Sequence, residues 1–511
     1  MKIEQRKAGT ILSYLQIGLN VIIQLIYTPV MIRLLGKNEY GLYNTVASTI
    51  AMLSILSLGF NSGYIKYYSI YNNKCDKTAI YKLNGLFLVI FTIIGVVAFI
   101  CGLFLSFNLN LIFDKGLTPS EYDKARIMMI LLTISLALSF PMSVFQNIIS
   151  AHEKFVILKL LGMIKTVLSP LITLPLLLMG YRSIAMVAVT VSVSFIVDIM
   201  YFTYVTSKMK EKFIFHNFEK SIFNSLFAYT IFIAINIIID QVNWNIDKFL
   251  LGRFKGTEEV AVYSVGFTLH QSYMLFSTSI SGVFTPRIHQ IVNSTQKNSL
   301  LQKKELTNLF TKVGRIQFML LSLILTGIIF FGKFFISDIW AGKGYEKAYY
   351  VALLLNIPAT ISLIQTLGIE IQRAENKHQF RSIAYAIMAI INLGLSIVLC
   401  QKYGAVGSAI GTAISLVIAN GFVMNTYYYL KCNIDIPFFW KNILRQSVGL
   451  ILPVCVGIAI LRIVKINSIL QFTVCVMAYT IIYCLSMWIL GMNNYEKELI
   501  SKPVLKLLQR K

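Results

Sequence analysis

Charge is what this sequence has least of. Only 13% of its 511 residues are Asp, Glu, Lys or Arg, about half the share found in soluble globular chains. Too few polar residues remain to cover a soluble body of this length, since 56% of the chain is hydrophobic and the mean hydropathy is +0.70. A water-soluble fold is excluded, and the bilayer becomes the solvent. Acidic residues are the scarcer sign, 22 against 46 basic, for a net charge of +24. In a soluble protein that excess would point to nucleic acid. Here the Lys and Arg fall in short gaps between apolar runs, as a polytopic membrane protein requires. No basic stripe with interleaved aromatics forms a continuous surface, so nucleic acid is not an expected partner.

Catalytic signatures are missing too. The five histidines, His152, His216, His270, His289 and His378, are scattered, and no GxSxG, HExxH, phosphate-binding loop or paired loop carboxylate occurs. The seven cysteines lie mostly inside apolar runs without CxxC or Cys/His spacing. That pattern supports neither a disulfide framework nor a metal site. The basic lead Lys2, Arg6 and Lys7 precedes an apolar run too long for a signal-peptide core, and no small-residue cleavage site follows. It reads as a retained helix.

What is present is a series of apolar runs. A spanning helix needs about 20 such residues. That ruler predicts an all-α polytopic membrane protein of about 14 transmembrane helices. The expected spans are 9–31, 41–63, 84–106, 127–149, 160–179, 183–205, 222–244, 260–282, 316–337, 348–370, 382–400, 405–428, 447–464 and 469–491. The short run 447–464 is the weakest, and losing it would reverse the C-terminal tail. With these boundaries, about twice as many Lys and Arg fall on the side of the termini as on the other. Both termini are expected in the cytoplasm. The longest connection, 283–315, is cytoplasmic and amphipathic. Long external segments, which a membrane-embedded glycosyl polymerase or transferase usually needs, are missing.

The chain also repeats itself. RLLGKNEYGLY from Arg33 follows the first span, and FLLGRFKGTEEVAVY from Phe249 follows the seventh. AHEK from Ala151 returns as AENK from Ala374, and GYRSIA from Gly180 as KYGAVGSA from Lys402. Six spans per repeat is an even number, so both halves have the same orientation. The expected architecture is two six-helix lobes, 1–220 and 221–430, related by a pseudo-two-fold axis along the membrane normal, with 431–511 adding a helix pair and a tail.

Polar residues inside lipid are costly and normally face a partner helix or a wet cavity. Gln16, Asn20 and Gln24 share one face of the first span, beside Ser13 and Tyr27. Asn236, Asp240, Asn243 and Asp247 share one face of the seventh, its repeat counterpart. Two readings stand: stripes lining a central cavity, or interhelical hydrogen bonds without a ligand. The carboxylates of Asp240 and Asp247 favour the cavity. Lys165 and Asp198 lie roughly 8–10 Å inside the fifth and sixth spans; an ion pair or a shared network is expected, either structural or serving an anionic head group. Lys66 and Arg287 close the inner ends of spans two and eight, as anchors or as diphosphate ligands. Arg33 and Lys248 hold the corresponding outer places. Glu370 reads as interfacial, and His270 with Gln271 as a satisfied interhelical donor.

TPVMIRLLGKNEYGLYNTVASTIAMLSILSLGFNSGYIKYYS, Thr28 to Ser69, resembles the signature of polysaccharide repeat-unit flippases. NIDKFLLGR with VAVYSVGF, Asn245 to Phe267, and YGAVGSAIGTAIS, Tyr403 to Ser415, are similar to further segments of that family. The resemblance implies the multidrug/oligosaccharidyl-lipid/polysaccharide exporter superfamily, whose members have two six-helix lobes and work by alternating access. It implies a bacterial cytoplasmic-membrane protein that flips an undecaprenyl-diphosphate oligosaccharide for capsule, O-antigen or exopolysaccharide assembly. Membrane lipids, a polysaccharide polymerase and a chain-length regulator are the implied partners. Family members place cations in the cavity for the diphosphate, which carries to Arg33 and, less directly, to Lys66, Lys165 and Lys248. No cofactor is implied; H+ or Na+ coupling is an option, with Asp240 and Asp247 as ion-coupling candidates. The rivals are a lipid II or spore-wall precursor flippase, a drug/cation antiporter of the same superfamily and, from another class, a membrane-embedded polymerase.

Overall fold

The computed structural model describes residues 2–113, 116–216, 220–282, 284–293, 299–375 and 377–508. Asn376, within the repeated AENK segment, lies outside the described residues. Those residues form helices and connections with no strand among them, as a chain in lipid must when every backbone polar group needs an internal partner.

The helices pack as two compact units, residues 1–264 with 393–408, and residues 265–392 with 409–511. In the first unit α1 is Lys2–Leu35, α2 Lys37–Met52, α3 Phe60–Asn73, α4 Lys77–Phe107, α5 Leu109–Ile112 and α6 Pro119–Ala151. Then come α7 Phe155–Leu178, α8 Ser183–Thr203 and α9 Lys220–Phe254. The next helix, α10 Thr257–Ser281, contributes its first two turns. Local chemistry sets the starts. Asp76 accepts the Ala79 amide at 2.9 Å ahead of α4. Thr118 and Glu121 form a capping box around Pro119 at the start of α6. Between α1 and α2 the chain turns at Gly36, φ 78°, and between α9 and α10 at Gly256, φ 89°. Side chains rarely tolerate that backbone region, so glycine stands at the same place in both repeats. Helix α1 packs along α7, α4 along α6, α6 and α7 along α8, and α2 along α9. One apolar core gathers Phe60, Tyr64, Phe87, Phe91 and Ile148; a second gathers Leu42, Val46, Phe113, Met128 and Val187.

The second unit holds the rest of α10, α11 Thr285–Asn293, α12 Ser299–Phe334, α13 Glu346–Leu363 and α14 Leu367–Ala374. Helix α15, His378–Leu416, belongs to it outside residues 393–408. It continues with α16 Asn425–Leu430, α17 Ile436–Ser447, α18 Ile451–Ile463, α19 Ile469–Ser486 and α20 Asn494–Leu508. Its core is built on Phe310, Leu363, Tyr428 and Phe439, and a second cluster joins Phe330 and Phe331 of α12 to Tyr479 and Tyr483 of α19.

Among the described residues ten helices or unbroken helix runs are long and apolar enough to cross a membrane, or eleven if α13 and α14, bent by 43°, make one. The difference from fourteen has three sources. The run Gln379–Leu430 counts once, yet its 52 residues would reach about 78 Å at 1.5 Å each. It breaks at Gly404, φ 59° and ψ −135°, so it serves two expected spans. Helix α9 covers the expected span 222–244, but most side chains at 221–229 lie outside the described residues. Helix α10 is not among the ten, its apolar run being interrupted by His270, Gln271 and Ser272.

Two boundaries also move. The short expected span 447–464 belongs to the longer run Ile436–Ile463. Much of the expected connection 283–315 is helical: α11 occupies Thr285–Asn293, and α12 begins at Ser299.

Candidate functional site

Both polar stripes lie in the first unit, on helices that α2 touches in common. On α1, Gln16 is half-buried against α7, where Gly162 lacks the Cβ that would sit 2.9 Å from the Gln16 Nε2. Four residues on, Asn20 is exposed, and Gln24 is half-buried again. On α9, Asn236 and Asp240 are exposed and Asn243 is half-buried. Asn20, Asn236 and Asp240 thus keep exposed surface on these two helices. Exposed amides and a carboxylate in the middle of a spanning helix are tolerated where water reaches them.

Asp247 differs from its stripe. It is 1% exposed and held by two hydroxyls, Tyr263 Oη donating to Oδ2 at 2.7 Å and Ser408 Oγ to Oδ1 at 2.7 Å. Asp247, placed by its spacing on the α9 stripe, is a buried joint between α9, α10 and the stretch after Gly404. Lys248, next in line, is half-buried.

The remaining cations are spread out. Arg33 is exposed at the end of α1. Lys66, exposed on α3, places its Nζ 5.7 Å from the Tyr67 ring centroid. Arg287 is exposed on α11 and donates to Gln290 at 3.4 Å. Lys165 is exposed on α7, and its charge acts on the buried Asp198 of α8. The hydrogen-bond donor to Asp198 is Gln146 of α6, at 3.3 Å. Of the ion pair or shared network expected around Lys165 and Asp198, the bond present joins Gln146 to Asp198, between α6 and α8.

Several polar clusters escaped the sequence. Glu39, 7% exposed, accepts from the Lys124 ammonium and the Ser183 hydroxyl, with Arg182 Nη1 at 3.8 Å. Glu39 stands inside the repeated motif, so the signal was present, but its partners lie far along the chain. Its repeat counterpart Glu259 accepts the Ala405 amide at 2.7 Å. Arg315 and Glu496 form a buried bidentate pair, Nε–Oε1 2.6 Å and Nη2–Oε2 2.8 Å. The Arg315 guanidinium also donates to the carbonyls of Asn442 and Gly491, each at 2.9 Å. His270 is buried, with Nδ1 2.9 Å from Asn356 Oδ1, the interhelical bond expected of it. Glu370 pairs with Arg373 at 2.7 Å.

A Shigella flexneri protein assigned as an O-antigen transporter is 22% identical over 405 residues, 78% of this chain and 92% of its own. A Haloferax volcanii protein assigned as a low-salt glycan biosynthesis flippase is 24% identical over 269 residues, 51% of this chain and 53% of its own. Among solved structures, the lipid II flippase MurJ in an inward closed conformation matches with a TM-score of 0.71 at 16% identity, covering 96% of this chain and 99% of that one. An inward-facing multidrug resistance MATE transporter of the MOP superfamily matches with 0.55 at 14%, covering 82% and 99%. At such identities these two establish the fold. All four are transporters or flippases rather than enzymes. The polysaccharide biosynthesis protein family matches residues 7–292, more than half of the chain, and this integral membrane protein belongs to it.

Proposed function

We propose that the chain moves an undecaprenyl-diphosphate-linked oligosaccharide repeat unit from the inner to the outer leaflet of a bacterial cytoplasmic membrane, by alternating access, for cell-surface polysaccharide assembly. The observation that carries this reading is the pair of exposed polar faces on α1 and α9, in a chain of the polysaccharide biosynthesis family. A diphosphate with sugars cannot cross hydrocarbon without a hydrophilic path. The amides of Gln16, Asn20, Gln24, Asn236 and Asn243 supply donors and acceptors for hydroxyls, while the polyprenyl tail stays in lipid. Arg33, Lys66, Lys165, Lys248 and Arg287 meet the diphosphate at successive depths, ammonium and guanidinium groups being good phosphate ligands.

Without a nucleotide-binding loop in the sequence, the energy comes from gradients or from consumption of product outside. A potential of 100 mV supplies about 2.3 kcal/mol per charge moved, and an inside-negative membrane favours export of an anion. Asp240, exposed on α9, is the proposed site of a coupling H+ or Na+. Both termini face the cytoplasm, where the Lys and Arg excess lies. Lipid II is the second reading for the cargo, favoured by the MurJ-like fold. Deleting the gene and following lipid-linked oligosaccharides separates the two. Accumulation of a non-peptidoglycan sugar lipid on the inner leaflet supports the first, and accumulation of lipid II alone overturns it.

A further inference from the structure

We propose that two ties at the first turn of α10 form a latch that holds the outer end of the first compact unit shut. The inference takes from the functional reading only the orientation, not the cargo.

Two kinds of bond meet at this end. Glu39 with Lys124 and Ser183 stays within the first sequence repeat, and Glu259 with Ala405 within the second. Such bonds survive any movement of one repeat against the other. Lys37 Nζ to Glu258 Oε2, at 3.1 Å, and Thr257 Oγ1 donating to Glu121 Oε1, at 2.8 Å, run from the first repeat to the second. They break as soon as the start of α10 leaves α2 and α6. Glu121 is well placed to hold, because its other oxygen already caps α6 by accepting the Thr118 amide at 2.8 Å. The backbones close up around the ties. Gly41 lies directly against the Thr257 carbonyl and Gly116 against that of Gly252, where a side chain has no room.

The ties are also weak enough to release. Side-chain exposure is 30% at Lys37 and 60% at Glu258, and pairs so exposed shift an equilibrium by about two- to fivefold. A conformational equilibrium with a gap of a few kcal/mol responds to biases of that size. Charge is needed at Lys37–Glu258, whereas a neutral hydroxyl suffices at Thr257.

The test uses the full chain in proteoliposomes of phosphatidylethanolamine and phosphatidylglycerol, without substrate. Spin labels at Asn38→Cys and Arg253→Cys, in a chain whose seven native cysteines are replaced, report the separation of α2 from the α9–α10 turn by pulsed dipolar spectroscopy. Glu258→Gln, Lys37→Gln and Thr257→Val are each expected to raise the long-distance fraction about two- to fivefold. Lys37→Glu with Glu258→Lys is expected to return it towards the parent value. Unchanged distributions in all three single variants, or a charge swap no better than its singles, overturn the latch. Glu258 is exposed, so Glu258→Gln keeps the test open if Thr257→Val misfolds. Variants that open this end of a chain which moves no sugar lipid leave the latch standing and the flippase reading fallen.

Discussion

Glu259 accepts the Ala405 amide at 2.7 Å. In the first repeat the same place is taken by Glu39 and the Ser183 hydroxyl. The resemblance between RLLGKNEYGLY and FLLGRFKGTEEVAVY is thus a resemblance of bonds as well as letters. The other end of each repeat behaves alike. Lys210 and Asn433 adopt φ 54° and 53° at matching positions. Lys154 lies 5.4 Å from the Tyr204 ring centroid, and Tyr427 Oη donates to the Lys377 carbonyl at 3.2 Å.

The Arg315–Glu496 pair ties α12 to the start of α20, with side-chain exposures of 5% and 2%. Removing one partner strands a desolvated charge, so Arg315→Ala or Glu496→Ala is expected to cost about 3–5 kcal/mol. Arg315→Met with Glu496→Leu is expected to cost less than either. Thermal unfolding in detergent, scored by loss of monodisperse protein, gives the ranking; a double variant as unstable as the worse single contradicts it.

Gly41→Ala is expected to destabilise by about 1–3 kcal/mol, because its Cβ meets the Thr257 backbone carbonyl, which cannot rotate away. Gly18→Ala, with nothing within 4 Å of its added Cβ, is expected to stabilise by up to about 1 kcal/mol through helix propensity. Opposite signs in the same unfolding assay are the outcome to look for.

Apolar runs made the helices legible, and the repeat made Gly36, Gly256 and the motif carboxylates legible. Partners were not. Arg315 falls at the end of an expected loop, where a basic residue reads as an interfacial anchor, and nothing in its neighbourhood announces a glutamate 181 positions away. Asp247 continued the α9 stripe in spacing, yet Tyr263 and Ser408 enclose it. Periodicity assigns a face to a residue but not what covers that face.

That contrast separates two aspartates. Asp240→Asn is expected to abolish the dependence of transport on an ion gradient. Asp247→Asn leaves one oxygen for two hydroxyl donors, so a loss of about 1–3 kcal/mol in stability is expected, with gradient dependence kept. Transport in vesicles under imposed and collapsed gradients, beside unfolding curves, distinguishes them.

For Asp198, Gln146 is the direct partner and Lys165 acts through its charge. A head-group role for Lys165 predicts that Lys165→Ala lowers transport several-fold and that Asp198→Ala does not rescue it. Full recovery in the double variant would make the network purely structural.

The proposed transport requires water to reach the polar faces of α1 and α9 inside the membrane. Single cysteines at Gln16, Asn20, Asn236 and Asp240, in a chain stripped of its seven native thiols, measure this with a membrane-impermeant thiol reagent. All four are expected to react, at rates that change with the side of addition. Reaction only with a lipid-soluble reagent, or none from either side, would contradict a hydrated path.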